Sequence, residues 1–277
     1  MQLICENLEY SYPRGEAALR GVSLNIAQGD FVGIMGHTGC GKSTLIQLMA
    51  GLLRPSSGRV LLDGEDINSR SYDMGRLRRK LGLVFQFPEY QLFETTVERD
   101  ILFGLKRLPL TAGEKRAAAR EAMELMGFDY DKVKDKSPLG FSGGEKRRIA
   151  IAGVLAAKPE ILVLDEPVAG LDPLGREAFL TLLKKLNREG TTVIMVSHNS
   201  DAIAECTRRL VLMSEGRIVS DGESSAVFSD AAALKAAAIK PPATAELREM
   251  LSARGVQLSG GSLDYQGFLQ ELRRLEL

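Results

Sequence analysis

Residues 30–51 read DFVGIMGHTGCGKSTLIQLMAG, an apolar run, a glycine-rich turn and a helical pattern in immediate succession. The run at 31–35 has the length and character of a buried strand. Gly36, Gly39 and Gly41 permit the backbone angles of a wrapping loop and leave no side chain in an anion's path. Lys42–Met49 is expected to be a helix whose first N–H groups have no intrahelical partner and lie at the positive end of its dipole. A phosphate at that point meets several donors at once. Lys42 adds a full charge aimed at the outer phosphates. A hydroxyl at Ser43 or Thr44 can complete the shell of a magnesium ion, and Ser43 fills the motif's hydroxyl position. The stretch is a phosphate cradle.

At 277 residues the chain holds one large α/β domain with an appendage, or two modest domains. Lys plus Arg and Asp plus Glu are both 36, so the net charge is zero and there is no overall basic footprint for nucleic acid. The cysteines, Cys5, Cys40 and Cys206, are widely spaced and odd in number, which argues for a reducing compartment rather than a disulfide framework or zinc site. Cys40 lies inside the cradle, where a small residue is tolerated because backbone does the binding. No apolar run reaches the length of a membrane span and the N-terminus lacks a signal peptide's apolar core. A soluble chain is expected, held at any membrane by something else.

Upstream of the cradle, residues 2–11 and 19–26 alternate as strands, with Pro13, Arg14 and Gly15 as the turn between them. Tyr10 and Tyr12 precede that turn, where an exposed aromatic can stack on a purine base or simply pack in the strand. Downstream, Gly51 ends the helix, residues 55–58 turn the chain, and residues 59–62 return it to strand. Residues 81–85 form an apolar strand running into Gln86, which can cap the strand or reach a metal ion. Thr111 with Glu114 is a capping-box pattern opening a charged, Ala-rich helix that stops at Gly127. Roughly residues 87–158 read as a helical insert. Within it, Ser142, Gly143, Gly144 and Glu145 precede a helix at 146–157, a second glycine-softened helix start whose serine can cap or touch an anion.

Residues 161–164 form a short buried strand ending in Asp165 and Glu166. Adjacent carboxylates at a strand end face different ways and can divide labour, one toward a metal shell and one toward a water. That edge is the expected side for chemistry in a parallel sheet. Gly170 and Asp172 lie in the following loop before a helix at 174–188, and residues 192–196 make another apolar strand ending at Ser197 and His198. His198 is a candidate phosphate sensor, while His37, within the cradle, is assigned no catalysis. Residues 209–213 and 217–221 pair as a hairpin. Beyond Gly222 an Ala-rich helix at 224–238, a break at Pro241 and Pro242, and helical spacing at 244–254 and 263–276 carry no chemical signature and suit packing or self-association.

With these pieces in place, residues 1–222 resemble the ATP-binding subunits of ABC transporters. GHTGCGKST corresponds to that family's Walker A motif, Gln86 to its Q-loop, FSGGE at 141–145 to its signature, ILVLDE at 161–166 to Walker B, AGLD at 169–172 to the D-loop and His198 to the switch histidine. The subfamily it most resembles is the energy-coupling factor type, through GHTG, QFPEYQLFETTVERDILFG, RRIAIAGVLA and the helical tail. Phe141 and Glu145 depart from the commoner Leu and Gln of the signature, and Val168 from a frequent Thr or Ser.

The resemblance implies an α/β fold: a P-loop ABC-type nucleotide-binding domain with a mixed sheet core, an antiparallel β subdomain, a helical subdomain at about 87–158, and a C-terminal helical extension at 223–277. It implies ATP and Mg2+, with Lys42 and the backbone of Gly36, His37, Thr38, Gly39, Cys40, Gly41, Ser43 and Thr44 on the phosphates and Tyr12 on the base. Ser43, Gln86 and Asp165 would serve the metal, Glu166 the attacking water and His198 the γ phosphate. Ser142, Gly143, Gly144, Glu145 and Asp172 would meet nucleotide across a head-to-tail pair with a second ABC ATPase subunit, related or identical. The pair would grip an integral transmembrane coupling protein, and through it a substrate-binding membrane protein for a vitamin or a metal ion such as cobalt or nickel. Glu89, Glu94, Glu98 and Asp100 are expected to dock a basic helix of the coupling protein. The chain would then sit peripherally at the cytoplasmic face of the cell membrane. The alternative is a soluble ABC ATPase acting on nucleic acid or the ribosome, but the chain has neither the long coiled-coil insert nor the fused second cassette of those members.

Overall fold

The computed structural model describes residues 2–13, 15–256, 258 and 261–274. Two sheets stand behind the cradle. The first is antiparallel, in the order β2-β1-β4-β5, from β1 (Gln2–Ser11), β2 (Ala17–Ala27), β4 (Ser57–Leu62) and β5 (Glu65–Asp66). Leu3 stands opposite both Ile26 and Leu62, so one face of this sheet is apolar.

The second sheet has the order β10-β9-β3-β8-β7-β6, from β3 (Phe31–Met35), β6 (Leu81–Val84), β7 (Ile161–Asp165), β8 (Thr192–Val196), β9 (Arg209–Ser214) and β10 (Arg217–Glu223). Only β10 runs antiparallel to its neighbour. Because β3, β7 and β8 are buried on both faces, they read as continuous apolar runs rather than alternating ones. Their residues still sort by parity. Val32 and Ile34 pack in the core shared with the antiparallel sheet, whereas Phe31 and Met35 pack in the core shared with the helices.

Helices fill the connections: α1 (Lys42–Met49), α2 (Met74–Lys80), α3 (Val97–Leu105), α4 (Ala112–Leu125), α5 (Tyr130–Val133), α6 (Gly143–Leu155), α7 (Pro173–Arg188) and α8 (Ser200–Cys206). The capping box expected at α4 is present in both directions, between Thr111 and Glu114. The helix expected at 146–157 begins earlier, at Gly143, because Ser142 and Glu145 cap it. The single helix expected at 224–238 is two, α9 (Ser224–Ser229) and α10 (Ala231–Ala237), because the Asp230 carboxylate accepts the Ala233 N–H at 3.0 Å and starts a new one. Val227, Phe228 and Leu234 from this pair join the core beneath the parallel sheet. The tail continues as α11 (Ala243–Ala253) and α12 (Tyr265–Arg273). Arg14 of the expected turn and residues 275–276 of the expected last helix lie outside the described residues.

Candidate nucleotide site

The C-terminal ends of β3, β8, β7 and β6 open on one edge of the parallel sheet, the edge where such folds bind ligands. The cradle leaves β3 there. A Cβ on Gly36 would lie 2.2 Å from the Met213 carbonyl oxygen, and one on Gly41 (φ +107°) 2.5 Å from that of Ala18, so both glycines are required by close backbone approach. The loop is pinned from behind by the Gly216 N–H donating to Cys40 O at 3.0 Å. Cys40 is fully buried, its Sγ 3.7 Å from Lys42 Nζ. Lys42 Nζ donates to Gly36 O at 2.7 Å and His37 O at 3.0 Å, which holds a full positive charge at the loop. His37 Nδ1 turns back to Thr38 O at 2.9 Å, so its ring stays with the loop's own backbone. Thr38 and Gly39 are exposed. Among the described residues no side chain caps α1, and its N-terminal N–H groups are left to an anion.

Two contacts tie the cradle to distant segments. Tyr12 OH lies 3.2 Å from Thr44 Oγ1; the residue is 45% exposed and its ring stands edge-on to Tyr10. Ser43 Oγ donates to Asp165 Oδ2 at 2.9 Å. Burial pushes the Asp165 carboxyl above its ordinary range, and the Ser43 hydroxyl opposes that shift. A hydroxyl and a carboxylate in contact are hard oxygen donors of the type magnesium takes, and magnesium needs only one or two from protein when phosphates and water supply the rest. The donor set fits.

Glu166 follows Asp165 in the left-handed region, φ +49°. That turn swings its carboxylate away from Asp165 and onto the end of β8. There Oε1 accepts the His198 N–H at 2.9 Å and lies 2.8 Å from His198 Nδ1, while Oε2 accepts the Ser197 hydroxyl at 3.1 Å. Glu166 is buried and the His198 ring is exposed. Gln86, two residues past the end of β6, is exposed with no hydrogen bond among the described residues.

The signature residues stand apart from this cluster. Ser142, Gly143 and Gly144 are exposed at the start of α6. The side-chain bonds of Ser142 and Glu145 join only each other: Glu145 Oε2 accepts the Ser142 N–H at 2.9 Å and the Ser142 hydroxyl at 2.7 Å. The Ser142 hydroxyl and N–H hold the Glu145 carboxyl below its usual range. Asp172, exposed, caps α7 through Gly175 N at 2.6 Å. These residues therefore present an outward face rather than closing on the chain's own cradle.

Two contributors were not singled out from the sequence. Ser197 looked like a strand end. Arg147, within the RRIAIAGVLA run, is buried and donates to the carbonyls of Glu166 and Ala169. Its position one turn before Ile151 and two before Leu155, on the buried face of α6, was the available signal.

Of the acids expected at a docking face, Asp100 accepts the N–H groups of Phe93 and Glu94 at 2.9 and 2.8 Å, and Glu98 accepts the Tyr130 hydroxyl. Four aromatic residues stand exposed in this region, Phe87, Tyr90, Phe93 and Phe103.

A family model described as ABC transporter matches residues 19–169. The energy-coupling factor transporter ATP-binding protein EcfA2 of Clostridium tetani is 43% identical over 99% of this chain and 97% of its own length. That of Symbiobacterium thermophilum is 45% identical over 92% and 90%. Among solved structures, cbiO1 from Clostridium perfringens, part of the ABC transporter complex cbiONQ, aligns with TM-score 0.74 and 37% identity over 91% of this chain and 94% of that one. The ATP-binding cassette MJ0796, solved as a dimer in a post-hydrolysis state with ADP and Pi, aligns with TM-score 0.72 and 31% identity over 80% and 98%.

Proposed function

The chain belongs to the ABC transporter family as an energy-coupling factor ATPase of the EcfA2 type, and from that premise we propose which residues do its work. It is the ATPase subunit of an energy-coupling factor transporter, hydrolysing ATP to drive transport. Residues 1–222 are the ATP-binding domain, with a helical subdomain at about 87–158, and 223–277 a helical extension.

The reading of the site is carried by one observation: Asp165 and Glu166, adjacent in sequence, reach opposite partners, the cradle's Ser43 and the β8 end's His198. Lys42 and the backbone of residues 36–44 hold the β and γ phosphates. Tyr12 stacks on the base. Ser43 and Asp165, with Gln86, hold Mg2+, which when bound would neutralise charge on the phosphates. Glu166 takes the proton of the attacking water and His198 fixes its carboxylate and steadies the γ phosphate. Ser142, Gly143, Gly144 and Glu145, with Asp172, meet the nucleotide of a second cassette in a head-to-tail pair, since their outward face is separate from the chain's own cradle.

Among the described residues no helix is long and apolar enough to cross a membrane. The chain works as a peripheral subunit at the cytoplasmic face, gripping a transmembrane coupling protein that carries a substrate-binding membrane protein. The exposed aromatics at 87–103 support docking there by apolar contact, with Glu94 at its margin. The cargo is a vitamin or a metal ion such as cobalt or nickel, chosen by the other subunits. Affinity capture from detergent-extracted membranes tests this. An integral membrane protein should accompany the chain, and recovery of nucleic acid or ribosomes in its place would overturn the reading.

A further inference from the structure

Arg147 is the only buried arginine or lysine among the described residues, 4% exposed on the inner face of the signature helix α6. Burying a guanidinium is costly unless its charge and donors are met, so the groups around it carry information. Nη1 donates to Ala169 O at 2.7 Å and Nη2 to Glu166 O. These two carbonyls bracket the turn that sets Glu166 in its left-handed conformation, a turn closed only by a long Ala169 N–H to Glu166 O bond of 3.3 Å. The guanidinium fork therefore clamps both ends of the turn from which the Glu166 side chain departs. Arginine's planar geometry allows this and a single ammonium does not.

The clamp's charge has a counterpart nearby. Arg147 Nε is buried with no hydrogen-bond partner, and so is Glu89 Oε2. Glu89 lies in the 3-10 turn Pro88–Gln91, which packs against α6. Burial holds the Arg147 guanidinium below its usual range, and Glu89, ahead of Glu166, is the carboxylate that most opposes this.

We propose that Arg147 is a positioning residue for ATP hydrolysis, fixing the 166–169 turn to the signature helix so that Ser142 and Glu166 move as one body, with Glu89 as its counter-charge. Engagement of α6 by the partner cassette's nucleotide is then felt at this chain's own general base. The inference rests on the reading of Glu166 as that base.

The test is steady-state hydrolysis by the full chain in its assembled complex. Arg147→Lys keeps the charge but cannot span two carbonyls. Its kcat should fall about tenfold or more, as expected of a displaced reactive group, while KM for ATP and bound-nucleotide stoichiometry stay within about twofold. The double variant Arg147→Met with Glu89→Leu replaces both members of the charge pair by apolar side chains. It should melt like the parent and show the same loss in kcat. A side chain that only supports the fold predicts parental turnover in that variant. Parental kcat in a folded variant, or KM rising in step with the fall in kcat, would overturn the proposal. Glu166→Gln, assayed alongside, separates the two levels. If it is inactive while both Arg147 variants are active, only the clamp fails; if it turns over normally, the assignment of the base fails first.

Discussion

Glu166 Oε1 is gripped twice by one residue, His198, through its backbone N–H at 2.9 Å and its ring Nδ1 at 2.8 Å. The ring nitrogen facing a carboxylate carries the proton it donates, and the exposed remainder of the imidazole is left to face a ligand. His198→Ala removes the ring but leaves the backbone N–H and the Ser197 hydroxyl on the carboxylate. Glu166 should stay in place, with kcat reduced and KM for ATP little changed. A steady-state titration with ATP distinguishes this from a general loss of binding, which would raise KM.

On the proposed reading, Lys42 contributes affinity. Its ammonium is held at the cradle by two carbonyls, and on that reading it would make charge-assisted bonds to phosphate, each worth about 1.5–3 kcal/mol. Lys42→Ala should weaken nucleotide binding about tenfold or more while the melting temperature stays near the parent's. Equilibrium binding of a fluorescent ATP analogue measures it, and unchanged affinity would remove Lys42 from the site.

Ser142 caps a helix and, on the proposed reading, also serves a partner. Ser142→Ala removes both halves of the capping box with Glu145 and should cost about 1 kcal/mol of stability, visible as a lower melting temperature. Since Ser142 faces away from this chain's own cradle, ATP affinity of the isolated chain should not change while turnover of the pair falls.

The cradle was legible because glycines, lysine and hydroxyl are local in sequence, and α1 spans the expected Lys42–Met49. The capping box at Thr111 was legible for the same reason. What a local pattern cannot convey is register across the sheet. Ser43 meets Asp165 over a separation of 122 residues only because β3, β8 and β7 are adjacent. The inward turn of Arg147 was not legible because a charged residue in a charged run ordinarily faces solvent, and only the packed helix reveals that this one is buried. The intrachain bonds of the acids at 98 and 100, which bind a tyrosine hydroxyl and close a loop, were likewise not legible in the sequence. The break at Asp230 was missed because the run of alanines after it hides a cap within what reads as one Ala-rich helix.

Tyr90 and Phe93 are 84% and 62% exposed, so exchanging them for serine should leave folding and ATP binding unaffected. Capture of the membrane partner should fail in the double variant Tyr90→Ser with Phe93→Ser. Retention of the partner would move the docking face elsewhere.

The most direct measurement is phosphate release by Glu166→Gln at saturating ATP, with the bound nucleotide quantified in the same sample. General-base assistance is worth about 10²- to 10⁴-fold, so the variant should hold ATP as tightly as the parent while turnover falls by about 10²-fold or more. Turnover near the parental rate in a variant that binds ATP normally would contradict the assignment of Glu166 and the account built on it.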